Sequence, residues 1–196
     1  MTRQNSIFSD TWARFATQTR NLLLSTSAVA LLVGCASTQA DQSRVQAASL
    51  TDANIAAIVV GANKIDISAG ELAIERSENT EVKAFARRMI TDHNAVLNAA
   101  VKLVTRLGVT PVNNDLVATL AEQSRQHEAQ LRRLSGKAFD KAYIDHEVAY
   151  HEAVIAVIEN QLIPGAHNQE LKDTLISVVP AFKAHLKHCQ MIQRKI

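Results

Sequence analysis

KAFARRMITDHNAVL, residues 83–97, places apolar side chains at steps of three and four, with a histidine filling one of the steps. Val82, Phe85, Ala86, Met89, Val96, Leu97, Ala100 and Val104 share one face of a helix, and His93 stands on that face between Met89 and Val96. Gly108 stops the helix, with Pro111 beyond it. Residues 141–155, KAYIDHEVAYHEAVI, align with this stretch without a gap. The match keeps Lys-Ala-aromatic at the start and His-x-Ala-Val-aliphatic at the end, and it pairs His93 with His151. A competing register lays Glu81-Val82-Lys83 on Glu170-Leu171-Lys172, so helical composition alone accounts for part of the likeness.

Working outward, the same reading gives four more helices. The first starts at Thr51-Asp52, either of which can cap it. Its stripe is Ile55, Ile58, Val59, Ala62, Ile65, Ala69, Leu72 and Ala73, and Asp66 falls inside that stripe. Asn79-Thr80 divides it from the second, which Thr80 can cap. A third helix, about Asp115 to Leu134, has a weaker stripe and is closed by Gly136. The fourth runs from about Phe139 to Leu162, with His151 in the missing place of its stripe and Pro164-Gly165 breaking it. The fifth begins near Gln169 and puts His185 between Phe182 and Cys189; Pro180 should bend it or leave a carbonyl unpaired. Six Gly, three Pro and 47% hydrophobic residues suit an all-α chain with a packed core.

Short links after the first and fourth helices force antiparallel hairpins, and the third can carry the chain back between them. The expected architecture is a ferritin-like four-helix bundle of two antiparallel hairpins with an additional crossover helix. Counted from the hairpin turns, Asp66 and His151 lie about 18 Å down, His93 about 21 Å and His185 about 27 Å. Three of the four polar positions then meet near mid-bundle, with His185 one to two turns beyond.

Residues 1–34 have the form of an export signal: a basic region with Arg3, Arg14 and Arg20, then a short apolar run from Leu22 to Val33. That run is too short to span a bilayer as an anchor. It ends in Leu32-Val33-Gly34-Cys35, which resembles the lipobox of bacterial lipoproteins. The resemblance implies diacylglycerol on Cys35, hence a membrane tether. Ala36 in the next position implies sorting to the outer membrane, facing the periplasm. The alternative is an ordinary signal cut near Ala36 or Ala40, leaving a soluble periplasmic protein. The expected domains are therefore a signal peptide (1–34), a lipid-anchored flexible tether (35–49) and a helical-bundle domain (50–196).

The whole chain carries 21 basic and 19 acidic residues; removing three Arg and one Asp with residues 1–34 leaves eighteen of each. A neutral mature chain with few aromatic residues lacks the footprint of a nucleic-acid binder, so no nucleic-acid partner is expected. Cys189, on the apolar stripe of the last helix, reads as a small buried hydrophobe. His127, His146, His167 and His188 read as exposed or rim residues.

The chain resembles the bacterial family of predicted outer membrane proteins, a ferritin-like domain of unknown function, over about Leu50 to Met191. The resemblance is carried by DISAGELA (66–73), VKAFARRMITDH (82–93), FDKAY (139–143) with His151, and Pro180 with His185-Leu186. This chain has Asp66 where the family more often has Glu, and Tyr150 where an Asp is usual before His151. Both departures shorten or remove a carboxylate, which counts against a ferritin-type dimetal centre.

Asp66, His93, His151 and His185 are the one internal clue to activity, and two readings compete for them. As satisfied core polar residues they would fix helix register. The chain would then be a non-enzymatic envelope lipoprotein acting through its surface, on an envelope protein or a second copy, in envelope maintenance or stress tolerance. As ligands, one carboxylate and three imidazoles suit a mononuclear transition metal such as Zn, Fe, Mn or Cu. The chain would then be a ferritin-like redox or peroxide-protection protein. No Glu-x-x-His occurs, so the usual dimetal ligand set is absent. Glu147 and His151 share a face at a spacing common in any helix. No nucleophile or oxyanion arrangement is visible, so no catalytic residue is assigned.

Overall fold

A computed structural model describes residues 50–196; the signal segment, Cys35 and the tether lie outside the described residues. What is described is all-helical. The long helices are α1 (Asp52–Arg76), α2 (Thr80–Arg106), α3 (Asp115–Leu131), α4 (Gly136–Val157) and α5 (Gln169–Gln193). Among the described residues no helix is long and apolar enough to cross a membrane.

Most helix starts are set by short polar side chains that satisfy the free N–H groups of the first turn. Thr51 and Asn54 form a reciprocal capping box on α1. Asn79, and not Thr80, caps α2, accepting from the Glu81 and Val82 N–H groups. Asn114 and Asn168 do the same for α3 and α5. Gly108, at φ 66°, ends α2 as expected: its N–H donates to the Thr105 carbonyl and that of Val109 to the Val104 carbonyl. Gly136 behaves differently from the expectation. α3 stops at Leu131, and Gly136, at φ 53°, turns the chain into α4 three residues before Phe139.

Pro164-Gly165 does not break α4 where the sequence suggested. Pro164 has no N–H to give the Asn160 carbonyl, and the helix widens there into a π turn, Ile158–Leu162. In it the Ile163 N–H reaches back to the Ile158 carbonyl. The chain stays helical to Gly165. Pro180 leaves α5 continuous. Pro180 and Ile176, whose carbonyl loses its partner, are both on the exposed side, so water can satisfy that carbonyl.

Among the described residues the buried apolar side chains form two cores. One gathers Ile55 and Ile58 of α1, Leu103 of α2, Leu116 and Leu120 of α3, Val154 and Leu162 of the α4 end, and Leu175 and Phe182 of α5. The other gathers Ala69 and Leu72, Phe85 and Met89, Leu131, Phe139 and Tyr143, and Cys189 and Ile192. Following each helix from core to core shows that α1, α3 and α5 run one way, α2 and α4 the other. The ends are clasped. At one, the Asp52 carboxylate accepts the His167 and Asn168 N–H groups and Val112 pairs with Ala53 and Asn54. At the other, Arg76 donates to the Arg132 and Leu134 carbonyls, and the buried Ser77 hydroxyl donates to Asp140 at 2.5 Å.

α1 and α2 pack closely at Gly70, where a Cβ would stand 3.0 Å from Ile90 Cγ1 and 3.2 Å from the Ala86 carbonyl oxygen. Gly70→Val should therefore lower stability by about 1–3 kcal/mol through overpacking, read from urea unfolding midpoints. A neutral or stabilising result would contradict the close approach.

Candidate metal centre

Between the two cores lies a layer of ionisable side chains. Asp66 comes from α1, His93 from α2, Glu147 and His151 from α4, and His185 from α5; none is more than 2% exposed. All four sequence candidates meet there, including His185. The height estimate failed for two physical reasons. The helical chain runs on to Gly165, which moves the second hairpin turn toward residues 166–168. Side chains also lean toward the N-terminus of their helix, which brings His185 back toward that turn and carries His151 away from it.

The imidazoles form one group. His151 and His185 have ring centroids 5.5 Å apart, as do His93 and His185, and His93 and His151 are 5.7 Å apart. One nitrogen from each of His93, His151 and His185 lies within 4.8 Å of the others, and the same holds for one atom each of Asp66, Glu147 and His151. Donors held about 2.1 Å from one ion stand roughly 3–4 Å apart, so the cluster is of the right size. Asp66 Oδ2 is 3.3 Å from His93 Nε2 and 3.7 Å from His151 Nε2.

The outward nitrogens decide the tautomers. His93 Nδ1 is 2.9 Å from Asn63 Oδ1, and the Asn63 amide is oriented by its own Nδ2–H donating to the Val59 carbonyl at 2.8 Å. His93 therefore donates through Nδ1. His151 donates through Nδ1 to the Glu147 backbone carbonyl at 2.9 Å, and His185 through Nε2 to Asp92 Oδ2 at 2.8 Å. Arg88 holds Asp92 in turn at 3.2 Å. The inward atoms are then lone pairs: His93 Nε2, His151 Nε2 and His185 Nδ1, each buried with no hydrogen-bond partner, as are both oxygens of Asp66 and of Glu147. An imidazole whose far N–H is fixed by an outer acceptor is the usual state of a metal-ligating histidine.

Burial keeps the layer uncharged. It pushes Asp66 up to about 8, and it holds Glu147 well above the usual carboxylate range, with the Asp66 carboxylate adding to the effect. Burial, then repulsion from the other two histidines, lowers His93 to about 2. Burial lowers His151 to about 3 against the opposing bond to the Glu147 carbonyl. His185 is also lowered by burial, although the Asp92 bond works the other way. At neutral pH three imidazoles offer lone pairs beside two protonated carboxyls. Two carboxyl protons cannot serve three inward nitrogens; a single cation can engage all three.

Two members were not among the sequence candidates. Glu147 had a signal, its four-residue spacing to His151, but nothing in the sequence distinguished it from a solvent-facing pair. Asn63 had none, because its role depends on the neighbouring helix. His146 corrects another expectation: it is buried, stacked on half-buried His127 with centroids 3.7 Å apart where α3 meets α4. His167 is exposed and His188 half-buried against Phe85, as a rim position implies.

Residues 36–192 match the model of the family described as Domain of unknown function (DUF4142). The chain belongs to this family. No curated protein matches it. Among solved structures the fold is similar to that of CopM in the Cu(II)-bound form, with TM-score 0.58 and 18% identity over 74% of this chain and 98% of that chain. At that identity the likeness is one of fold, so within this family member the layer rests on its own geometry.

The raised Asp66 carries a stability consequence with a defined sign. Above about pH 4 the unfolded chain has lost this proton while the native state keeps it until about pH 8, so rising pH disfavours the native state across that window. Below about pH 6.5 the buried neutral histidines oppose the trend, because the unfolded chain then gains protons they cannot. From pH 6.5 to 8 the metal-free protein should therefore lose stability. Asp66→Asn should flatten the slope by about 1.4 kcal/mol per pH unit. Urea unfolding at both pH values checks this; stability rising with pH in the wild type would contradict a protonated Asp66.

Proposed function

We propose that the chain binds one transition-metal ion in the layer between its cores and holds it without catalysing a reaction. The observation that carries this reading is the set of inward lone pairs on His93, His151 and His185, each secured from behind by Asn63, the Glu147 carbonyl or Asp92. Asp66 would supply the charged donor and Glu147 a second carboxylate beside it. Three imidazoles and a carboxylate suit Cu(II) or Zn(II) best among the first-row ions. Four protein donors in a buried layer leave no open position for substrate, which favours holding over catalysis. The likeness in fold to a protein solved with Cu(II) bound supports the reading without deciding the metal.

In this reading the architecture is the ferritin-like one, with α1–α2 and α4–α5 as hairpins and α3 as the crossover. The ligand set is mononuclear and differs from the Glu-x-x-His pairs of dimetal bundles. The sequence Leu32-Val33-Gly34-Cys35 supports an outer-membrane lipoprotein that faces the periplasm, where such a site would buffer metal for the envelope.

Protein purified without chelator should carry close to one equivalent of Cu or Zn, lost in His93→Ala and in His151→Ala. Asn63→Leu should keep the fold and weaken metal binding about 10–100-fold, because His93 loses its outer acceptor. Elemental analysis and competitive chelator titration read both. A wild type that takes up no metal, with stability lost in the histidine variants, would leave the layer as a packing device. Labelled palmitate incorporated by the wild type and not by Cys35→Ser would support the anchor, and incorporation that survives the substitution would overturn it.

A further inference from the structure

On one side of the polar layer, within the core that holds Leu103 and Leu175, packing leaves a crevice of about 40 Å³, part of it open to solvent. Its walls are formed by α1 from Ala56 to Asn63, α2 from Val96 to Val104, the α4 end from Val154 to Leu162, and α5 from Leu171 to Phe182. At 1.5 Å per residue these walls are about 10–16 Å long. Helical cores normally close such space. Here the side chains facing it from α1 and α2 include Ala56, Ala62 and Ala100, and the α4-end wall runs from Val154 into the π turn Ile158–Leu162.

Polar side chains on the walls are those of Asn63 and Thr174, and both are engaged within the protein. Asn63 is held by His93 and the Val59 carbonyl, and the Thr174 hydroxyl donates to the Glu170 carbonyl at 2.8 Å. No wall group is left to recognise a polar ligand. The chemistry of the walls admits hydrocarbon alone. The length favours a chain over a compact ring. Beyond the last wall residues Val104 and Leu171, the Arg106–Glu170 ion pair spans α2 and α5 at 2.5 Å and supplies a guanidinium near that end.

We propose that this crevice binds a single linear acyl chain, with its head group in solvent. The chain lies between α2 and α5 and replaces the water that a predominantly apolar wall holds poorly. The site is independent of the metal reading, although Asn63 and Phe182, stacked on His93 at 4.9 Å, form wall on one side and support a histidine on the other. It is therefore tested on metal-free protein, where failure of one reading leaves the other standing.

The full-length chain, stripped of metal with chelator and of lipid by extraction, is titrated with octanoate, decanoate and dodecanoate against a dansylated undecanoate probe. Binding should saturate at one per chain, with affinity rising about four-fold for each added CH₂. Lysophosphatidylcholine with a twelve-carbon chain forms the second arm. Equal affinity identifies the acyl chain as the sole determinant, and a preference for dodecanoate identifies a free fatty acid. Ala100→Phe should weaken binding at least ten-fold. Val178→Trp, placed at the half-buried rim where folding is less at risk, should do the same. Non-saturating uptake, no displacement of the probe, or binding unchanged in both variants would overturn the proposal.

Discussion

Five ionisable side chains at one level between two apolar cores set the terms for this molecule. Charged groups cannot be taken out of water without a partner, so the layer exists in its uncharged form, with Asp66 and Glu147 protonated and the histidines neutral. The constraint also fixes register. Sliding any of the four helices by one turn, about 5.4 Å, would drive a carboxyl or an imidazole into the Leu103–Leu175 core or the Phe85–Tyr143 core. Hydrogen bonds between elements hold the level from outside the layer. The Tyr150 hydroxyl donates to the Ala62 carbonyl at 2.6 Å, Asn63 joins α1 to α2, and Asp92 joins α2 to α5.

That arrangement is costly as a way of setting register alone. An Asn or a single His–Asp pair fixes helix alignment with fewer desolvated groups. The clasps at the bundle ends, Asp52 on the α5 start and Arg76 on the α3–α4 turn, already resist sliding. Local violations of packing rules concentrate at functional sites, where stability is given up for chemistry. Here the violation is concentrated at one level, with an apolar core on either side of it.

The amphipathic stripes made the helices legible, and the four polar interruptions in those stripes made most of the layer legible. A periodic pattern reports which face of a helix is buried, so Asp66, His93, His151 and His185 could be placed on inward faces from the sequence. It reports height poorly, because side-chain lean and the exact turn position shift a residue by about a helical turn. His185 was misplaced for that reason. Glu147 and Asn63 were missed because each sits at the edge of a stripe, where burial depends on the neighbouring helix. His146 was missed because the weak stripe of α3 gave no means of telling which face of α4 it would cover. The π turn was hidden because Pro164 reads as a helix breaker, whereas in the last turn it only removes a bond the helix can reroute.

The tautomers separate the two uses of the layer. If it served packing alone, the lowest-energy arrangement would turn an N–H of His93 and of His151 inward to Asp66, giving charge-assisted bonds with the carboxylate ionised. The opposite is found. Each ring gives its proton away from the centre, to a side-chain amide, a backbone carbonyl and a carboxylate on three different elements. Asn63 could not accept from His93 unless its own amide were turned by the Val59 carbonyl, so this orientation is built two bonds deep. Three independent acceptors converge on the same result, three bare nitrogens turned inward, and the two carboxyls beside them can supply at most two protons, so packing alone leaves a buried lone pair without a donor. A cation among them would engage all three.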